Sequence, residues 1–230
     1  MRRAYKYRLW TNANQERELG IMLETHRRLY NAALAQRKEA WEDEQRSVRY
    51  VEQSTWYKAR RAENPYFARL NFSSAQATLR RLDRAFQAFF RRCKSGETPG
   101  YPRFKTRDRW VSLTFPSHGD GTRLTGNRLR VQHVGVVRVC LHREVVGAIK
   151  TLTLIREAEK WYVIVSYDLG NAAVPPSTNP PVGVDLGLEA FLTTSEGERV
   201  ENPRILKAAL PELRRLGRAH TCKKRGGKNR

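Results

Sequence analysis

Pro181-Val182-Gly183-Val184-Asp185-Leu186-Gly187 sets one carboxylate among short apolar residues and closes on a glycine turn. Val182 and Val184 alternate with Gly183 and Asp185, the pattern of a short interior strand. An ionised carboxylate beside such a strand is costly unless it is paired or bound to a metal. One chemistry that uses carboxylates in this way is phosphodiester cleavage, where acids hold two divalent ions against the attacking and leaving oxygens. The spacing also suits an aspartate satisfied by the amides of the turn before Gly187. Glu189, Glu196, Glu198 and Glu201 follow closely. They fall on or beside expected turns, where carboxylates are solvated, and make poor second ligands.

A second constellation is basic and aromatic. The 230 residues carry 44 Lys and Arg against 23 Asp and Glu, a net charge of +21. A surplus of that size implies a polyanionic partner, because basic side chains that neutralise phosphates release condensed counterions. It is concentrated between Arg80 and Arg109, with ten basic residues and three acidic. Leu79, Leu82, Phe86, Phe89 and Phe90 form the apolar stripe of a helix whose other faces carry Arg80, Arg81, Arg84, Arg91 and Arg92. Guanidinium groups grip phosphate through paired hydrogen bonds. The loop that follows, Gly100-Tyr101-Pro102-Arg103-Phe104-Lys105 and then Arg107, interleaves aromatic and basic side chains. That mixture suits base stacking with phosphate contact. Lys6 and Arg8 alternate with Tyr5, Tyr7 and Leu9 on a strand with one basic face.

These residues need positioning elements. Thr11 to Asn14 offers N-cap residues for a long helix reaching about Glu44, with Leu19, Met22, Leu23, His26, Leu29, Tyr30 and Ala33 on one stripe. His26 reads as a satisfied interior histidine. Arg37 to Glu63 has seven basic and six acidic residues and reads as a solvated helical surface anchored by Trp56 and Tyr57. Asn64-Pro65 breaks it. Ser73 or Ser74 is expected to cap the arginine-rich helix. From Trp110 the period becomes two, with strands expected at 110–116, 122–131, 135–141, 148–156 and 161–168. Five short strands between glycine turns imply a small barrel or sandwich that the first strand could complete. Proline-rich residues 171–181 form a linker. Beyond Asp185, strands are expected at Ala190–Thr194 and Glu198–Val200, then a helix from Pro203, a favourable first helical residue, to about Ala219.

Several classes fall away. No stretch reaches the ~18 apolar residues of a membrane helix, and the N-terminus lacks a signal-peptide core. Cys93, Cys140 and Cys222 are odd in number and widely spaced, against a disulfide frame or a zinc site. A reducing cytoplasm is the expected compartment, with no membrane partner.

Taken in order, Tyr5-Lys-Tyr-Arg-Leu9 with Asn14-Gln15, Tyr30-Asn-Ala-Ala-Leu34, Gly100-Tyr-Pro-Arg-Phe-Lys105, Gly183-Val-Asp-Leu-Gly187, Asn202-Pro-Arg204 and the closing Lys-Lys-Arg-Gly-Gly-Lys-Asn-Arg resemble the TnpB (OrfB) proteins of IS200/IS605-type insertion sequences. Those proteins are relatives of the type V (Cas12) CRISPR effectors. The resemblance implies an α+β protein. Residues 1–10 and 100–170 would form an OB-like wedge β-barrel, 11–99 an inserted helical recognition domain, and 182–230 the truncated start of an RNase H-like (RuvC) α/β fold.

The same resemblance implies a transposase-associated, RNA-guided DNA endonuclease with guide RNA and DNA as partners and Mg²⁺ as cofactor. The catalytic, metal-holding role carries over to Asp185 only. The family pattern continues into a strand with a catalytic Glu, a four-cysteine zinc ribbon and a final catalytic Asp, so this chain is expected to bind nucleic acid without cutting alone. The alternative is a non-catalytic, repressor-like nucleic-acid-binding module.

Overall fold

The computed structural model describes residues 1–143, 147–170 and 180–223. The expected linker at 171–181, apart from its last two residues, and the basic tail after Lys223 lie outside the described residues. The chain forms two compact units, Met1–Ala172 and Ala173–Arg230.

The first unit opens with strand β1 (Arg2–Trp10) and continues into a single 32-residue helix, α1 (Ala13–Glu44). Asn12 caps α1 by accepting from the Gln15 amide, and the Gln15 side chain accepts from the Asn12 amide in return. That reciprocal pair satisfies two of the orphan donors at the helix start. Gln45 ends α1 in the left-handed conformation at φ 51. Helices α2 (Tyr50–Glu63), α3 (Pro65–Ala68) and α4 (Phe72–Ser95) follow. α4 is capped by Asn71, which accepts from the Ser74 amide. The expected cap, Ser73 or Ser74, is therefore corrected: Ser74 lies inside the helix and is fully buried. Gly96 at φ 70 stops α4.

The apolar stripe of α1 is buried along its length, from Leu19 to Ala33, and α4 turns Leu79, Leu82 and Phe86 against it. Tyr57 of α2 is fully buried. The segment expected to be a merely solvated surface contains a buried polar junction. The Arg37 Nε donates to Gln53 at 2.8 Å, and its terminal nitrogen pairs with Asp83 at 2.9 Å. Gln53 donates to the Ala33 carbonyl at 2.7 Å. Helices α1, α2 and α4 are thus tied by hydrogen bonds that leave none of these buried groups unpaired.

Six strands complete the unit: β2 (Ser112–Phe115), β3 (Thr122–Thr125), β4 (Arg128–Val131), β5 (Gly135–Cys140), β6 (Ala148–Glu157) and β7 (Lys160–Asp168). The expected strand at 122–131 is two strands, folded back at Gly126, whose φ of 53 suits a tight turn. All seven strands form one antiparallel sheet in the order β2-β6-β7-β1-β5-β4-β3, curled into half a barrel. The first strand sits at the centre, between β7 and β5, although four helices separate it in sequence from β2. Alternation sends Tyr7, Leu9, Leu129, Val137, Leu152, Leu154, Val163 and Val165 inward.

In the second unit β8 (Val184–Asp185), β9 (Ala190–Thr194) and β10 (Arg199–Glu201) form a three-stranded antiparallel sheet, ordered β10-β9-β8. The strand around Asp185 is not interior. Val182, Val184 and Leu186 are all exposed, because β8 is an edge strand of a small sheet. Helix α5 (Ile205–Thr221) starts two residues after Pro203, with Arg204 left-handed at φ 44, and it carries Pro211 within its length. Among the described residues no helix is long and apolar enough to cross a membrane.

Candidate nucleic-acid interface

The loop after α4 is stapled to α1. The Asn31 side chain grips the Lys105 peptide on both sides, accepting from its amide at 2.8 Å and donating to its carbonyl at 3.0 Å. Arg27 donates to the same carbonyl at 2.8 Å. At the other end Tyr101 packs edge-on against Phe86 and Phe89 of α4, with ring centroids 5.5 and 5.3 Å apart. These contacts hold the loop beside both helices and leave Arg103, Phe104 and Arg107 exposed. The Lys38 ammonium lies 5.6 Å from the Phe104 ring.

Between α1, α3 and the residues before β2 lies a cleft of about 540 Å³. Its walls carry Arg17, Arg27, Arg28, Arg107 and Arg156 with one carboxylate, Glu24. Glu24 accepts from Arg27 at 2.7 and 2.8 Å and from Arg28 at 2.9 Å, and the Arg107 guanidinium stands 3.7 Å away. The Arg27 hydrogen bonds, then that of Arg28, hold the Glu24 carboxyl down to about 2, against the opposing effect of partial burial. One carboxylate orients three guanidinium groups and neutralises one, so the cleft keeps a strong positive excess. Trp110 lines the same cleft, and its buried indole N–H has no acceptor among the described residues. Arg17, Arg27, Arg28 and Arg156 were not legible as a group, because they come from α1 and β6. Their common signal was only the excess of arginine.

The arginines of α4 divide. Arg80, Arg84 and Arg91 are exposed, and none of them, nor Arg92 or Arg103, forms an ion pair among the described residues. Arg80 lies 5.2 Å from the Tyr50 ring. Arg81 is turned inward at its tip: its guanidinium sits 4.5 Å over the Trp110 ring and donates to Ser112 Oγ at 3.3 Å. Burial there draws its pKa below the ordinary arginine value. Arg81 thus packs on Trp110 with its guanidinium while the residue as a whole stays exposed. Lys6 and Arg8 stand apart from this cluster, on the sheet. Lys6 is paired with Glu157, and Arg8 covers the Trp10 ring at 4.2 Å.

Asp185 is exposed and pairs in register with Thr193 of β9. Among the described residues no three His, Cys, Asp or Glu side chains gather where they could hold a metal. A two-ion site needs several carboxylates converging on the cations, and among the described residues no such group gathers around Asp185.

Comparisons with known proteins find relatives of this chain. Residues 1–46 match the family model HTH_OrfB_IS605, described as a helix-turn-helix domain. In this chain those residues form β1 and one uninterrupted helix, and the next helix begins only at Tyr50. The match of residues 1–46 and the two relatives below make the chain similar to the TnpB (OrfB) proteins of IS605-type transposons.

More particularly, it is 28% identical over 237 residues to a Streptomyces pristinaespiralis protein provisionally named an RNA-guided DNA endonuclease, matching 100% of this chain and 57% of the relative. It is 26% identical over 220 residues to the Escherichia coli (strain K12) protein InsQ, also provisionally named an RNA-guided DNA endonuclease, over 94% of this chain and 52% of the relative. The chain thus spans about half the length of these curated relatives. A solved Cas12f1 complex with sgRNA and target DNA aligns over 94% of this chain and 61% of that one, at 11% identity and a TM-score of 0.46.

Proposed function

We propose that this chain is the nucleic-acid-holding part of a TnpB-type RNA-guided DNA endonuclease, with guide RNA and DNA as partners. The observation that carries the reading is the arginine cleft beside the stapled loop. Arg27, Arg28 and Arg107 are pre-oriented by Glu24, next to an α4 face whose Arg80, Arg84 and Arg91 have no counter-ion among the described residues. Pre-oriented guanidinium groups lose little entropy on meeting phosphate. In this reading the curled sheet is the wedge domain, with segments 1–10 and 100–170, and α1 to α4 are its recognition insertion over 11–99. The placement of β1 at the sheet centre supports that layout. Residues 182–230 would begin a RuvC-like nuclease fold, with Asp185 as its first carboxylate.

Holding and cutting separate in this chain. With one exposed carboxylate and no gathered acids among the described residues, the chain alone is expected to bind and not to cleave. The test measures binding of a fluorescent 20-nucleotide RNA and a DNA duplex across a salt series, then incubates the complex with Mg²⁺. Support is binding that weakens steeply with salt, with the DNA left intact. Specific cleavage by the purified chain would overturn the division of labour, and salt-insensitive binding would overturn the phosphate grip. The exposure of Asp185 favours a second reading, a repressor-like module that acts by occupancy alone. Under it, Asp185→Ala leaves every activity of the protein unchanged, in its natural context as well as in isolation.

A further inference from the structure

We infer that the outer face of β3, β4 and β5, continued onto β1, is a second binding surface for the sugar-phosphate backbone of a nucleic acid. It rests on the preceding reading for the choice of nucleic acid over other polyanions, but its residues are separate from the cleft and from α4.

The register makes the case. Arg123 on β3 stands directly opposite Arg130 on β4, and Arg128 on β4 stands directly opposite Arg138 on β5. Residues directly opposite in an antiparallel pair share a face, with Cβ atoms about 4.5–5.5 Å apart, and like charges so placed are destabilising. All four arginines are exposed, and none has an ion-pair partner among the described residues. A face shaped only for solubility would mix signs. Doubling like charges across two successive strand pairs weakens the sheet, unless an anion lies over it.

Two further features mark what that anion is. The row Arg128–Arg138 continues across β1 to Trp10, which is opposite Arg138 and 52% exposed. An exposed indole beside guanidinium groups is a stacking platform for a base. At the other end of the face, a cavity of about 290 Å³ is lined by Gly119, Gly121, Thr122, Arg123, Arg130 and Gln132. Thr122 is 2% exposed, and its hydroxyl has no hydrogen-bond partner among the described residues. Thr122 alternates with Arg123 and stands opposite the buried Val131, so its side chain faces the core, and the phosphate contacts at this end fall to Arg123 and Arg130.

The experiment compares the parent chain with a fourfold variant carrying Arg123→Gln, Arg128→Gln, Arg130→Gln and Arg138→Gln. A helix-face control carries Arg84→Gln and Arg91→Gln. Anisotropy of labelled single-stranded RNA and of duplex DNA is followed against salt, and folding against urea. The fourfold variant is expected to hold or raise the urea midpoint. Its affinity should fall about tenfold or more, and its log–log salt slope should flatten by about 3, at ~0.7–0.9 per lost phosphate contact. A loss confined to RNA, or to DNA, supports the surface and says which strand lies on it.

If the fourfold variant keeps its affinity and slope while the helix-face control loses them, the surface is overturned and the preceding reading stands. A lower urea midpoint would overturn the repulsion on which the assignment rests. Failure of the parent chain to bind either nucleic acid at low salt would overturn both readings.

Discussion

His26 makes the helical part of the protein acid-labile. Its side chain is fully buried between α1 and α4, with Nδ1 2.8 Å from Thr78 Oγ1 and Nε2 3.2 Å from Ser74 Oγ. Both ring nitrogens are satisfied by hydroxyls, and among the described residues no carboxylate pairs with the ring to balance an imidazolium. Desolvation pushes its pKa down to about 3. In the unfolded chain the imidazole titrates near 6.5, so below that value the unfolded state binds a proton that the folded state refuses. The stabilisation is therefore complete above pH 6.5 and is lost as pH falls toward 3. Each pH unit in that window costs about 1.4 kcal/mol, or about 2 kcal/mol at pH 5. Domains of this size hold only about 5–15 kcal/mol in total.

Urea unfolding followed by far-UV circular dichroism at pH 7.5 and pH 5.0 measures the effect, with His26→Gln as the reference. The parent should lose about 2 kcal/mol more than the variant between the two conditions. Equal pH dependence in the two proteins, or an NMR titration placing His26 near 6.5, would refute the reasoning.

Other outcomes follow from the same geometry. Asp83→Ala leaves the Arg37 guanidinium buried without its carboxylate and should cost about 2–3 kcal/mol in urea midpoints. Arg37→Met removes the charge and keeps the stem, so it should cost less. Asn31→Ala removes both hydrogen bonds to the Lys105 peptide. Limited proteolysis should then cut at residues 100–107, and RNA affinity should fall with an unchanged salt slope, since no charge is lost. The Glu24 carboxyl, held down to about 2, contributes stability that is present above its unfolded value near 4.5 and lost as pH falls toward 2. Glu24→Gln should therefore flatten the acid limb below pH 4.5 and leave the His26 limb above it intact. Asp185→Ala should leave the urea midpoint within about 0.5 kcal/mol of the parent, because the side chain is exposed and makes no hydrogen bond or ion pair among the described residues.

Long periodic elements were legible locally. The stripe from Leu19 to Ala33 predicts α1, which ends at Glu44 as expected, because a 3.6-residue period sustained over about four turns fits only a helix. Interior strands with strict alternation, such as Trp161 to Tyr167, were equally plain. Short-range chemistry failed where residues compete for one role. Asn71 took the cap of α4, and Ser74 went into the core to meet His26. Pro203 yielded the start of α5 to Ile205. At Asp185 the apolar neighbours suggested burial, yet burial depends on what packs over a strand, and β8 lies at an edge.

By itself the sequence determined the basic character of the protein, its order of helices and strands, and the motifs by which it resembles the TnpB proteins. These follow from composition and local period, which any chain of these residues would carry. Tertiary structure alone decided which charges are free and which are committed. Arg37, Arg81 and Lys6 are engaged by Asp83, Trp110 and Glu157, while among the described residues Arg84, Arg91 and the cross-strand arginines have no ion-pair partner. Pairing is a matter of a few ångströms between residues far apart in the chain, and only strand register and helix packing set those distances.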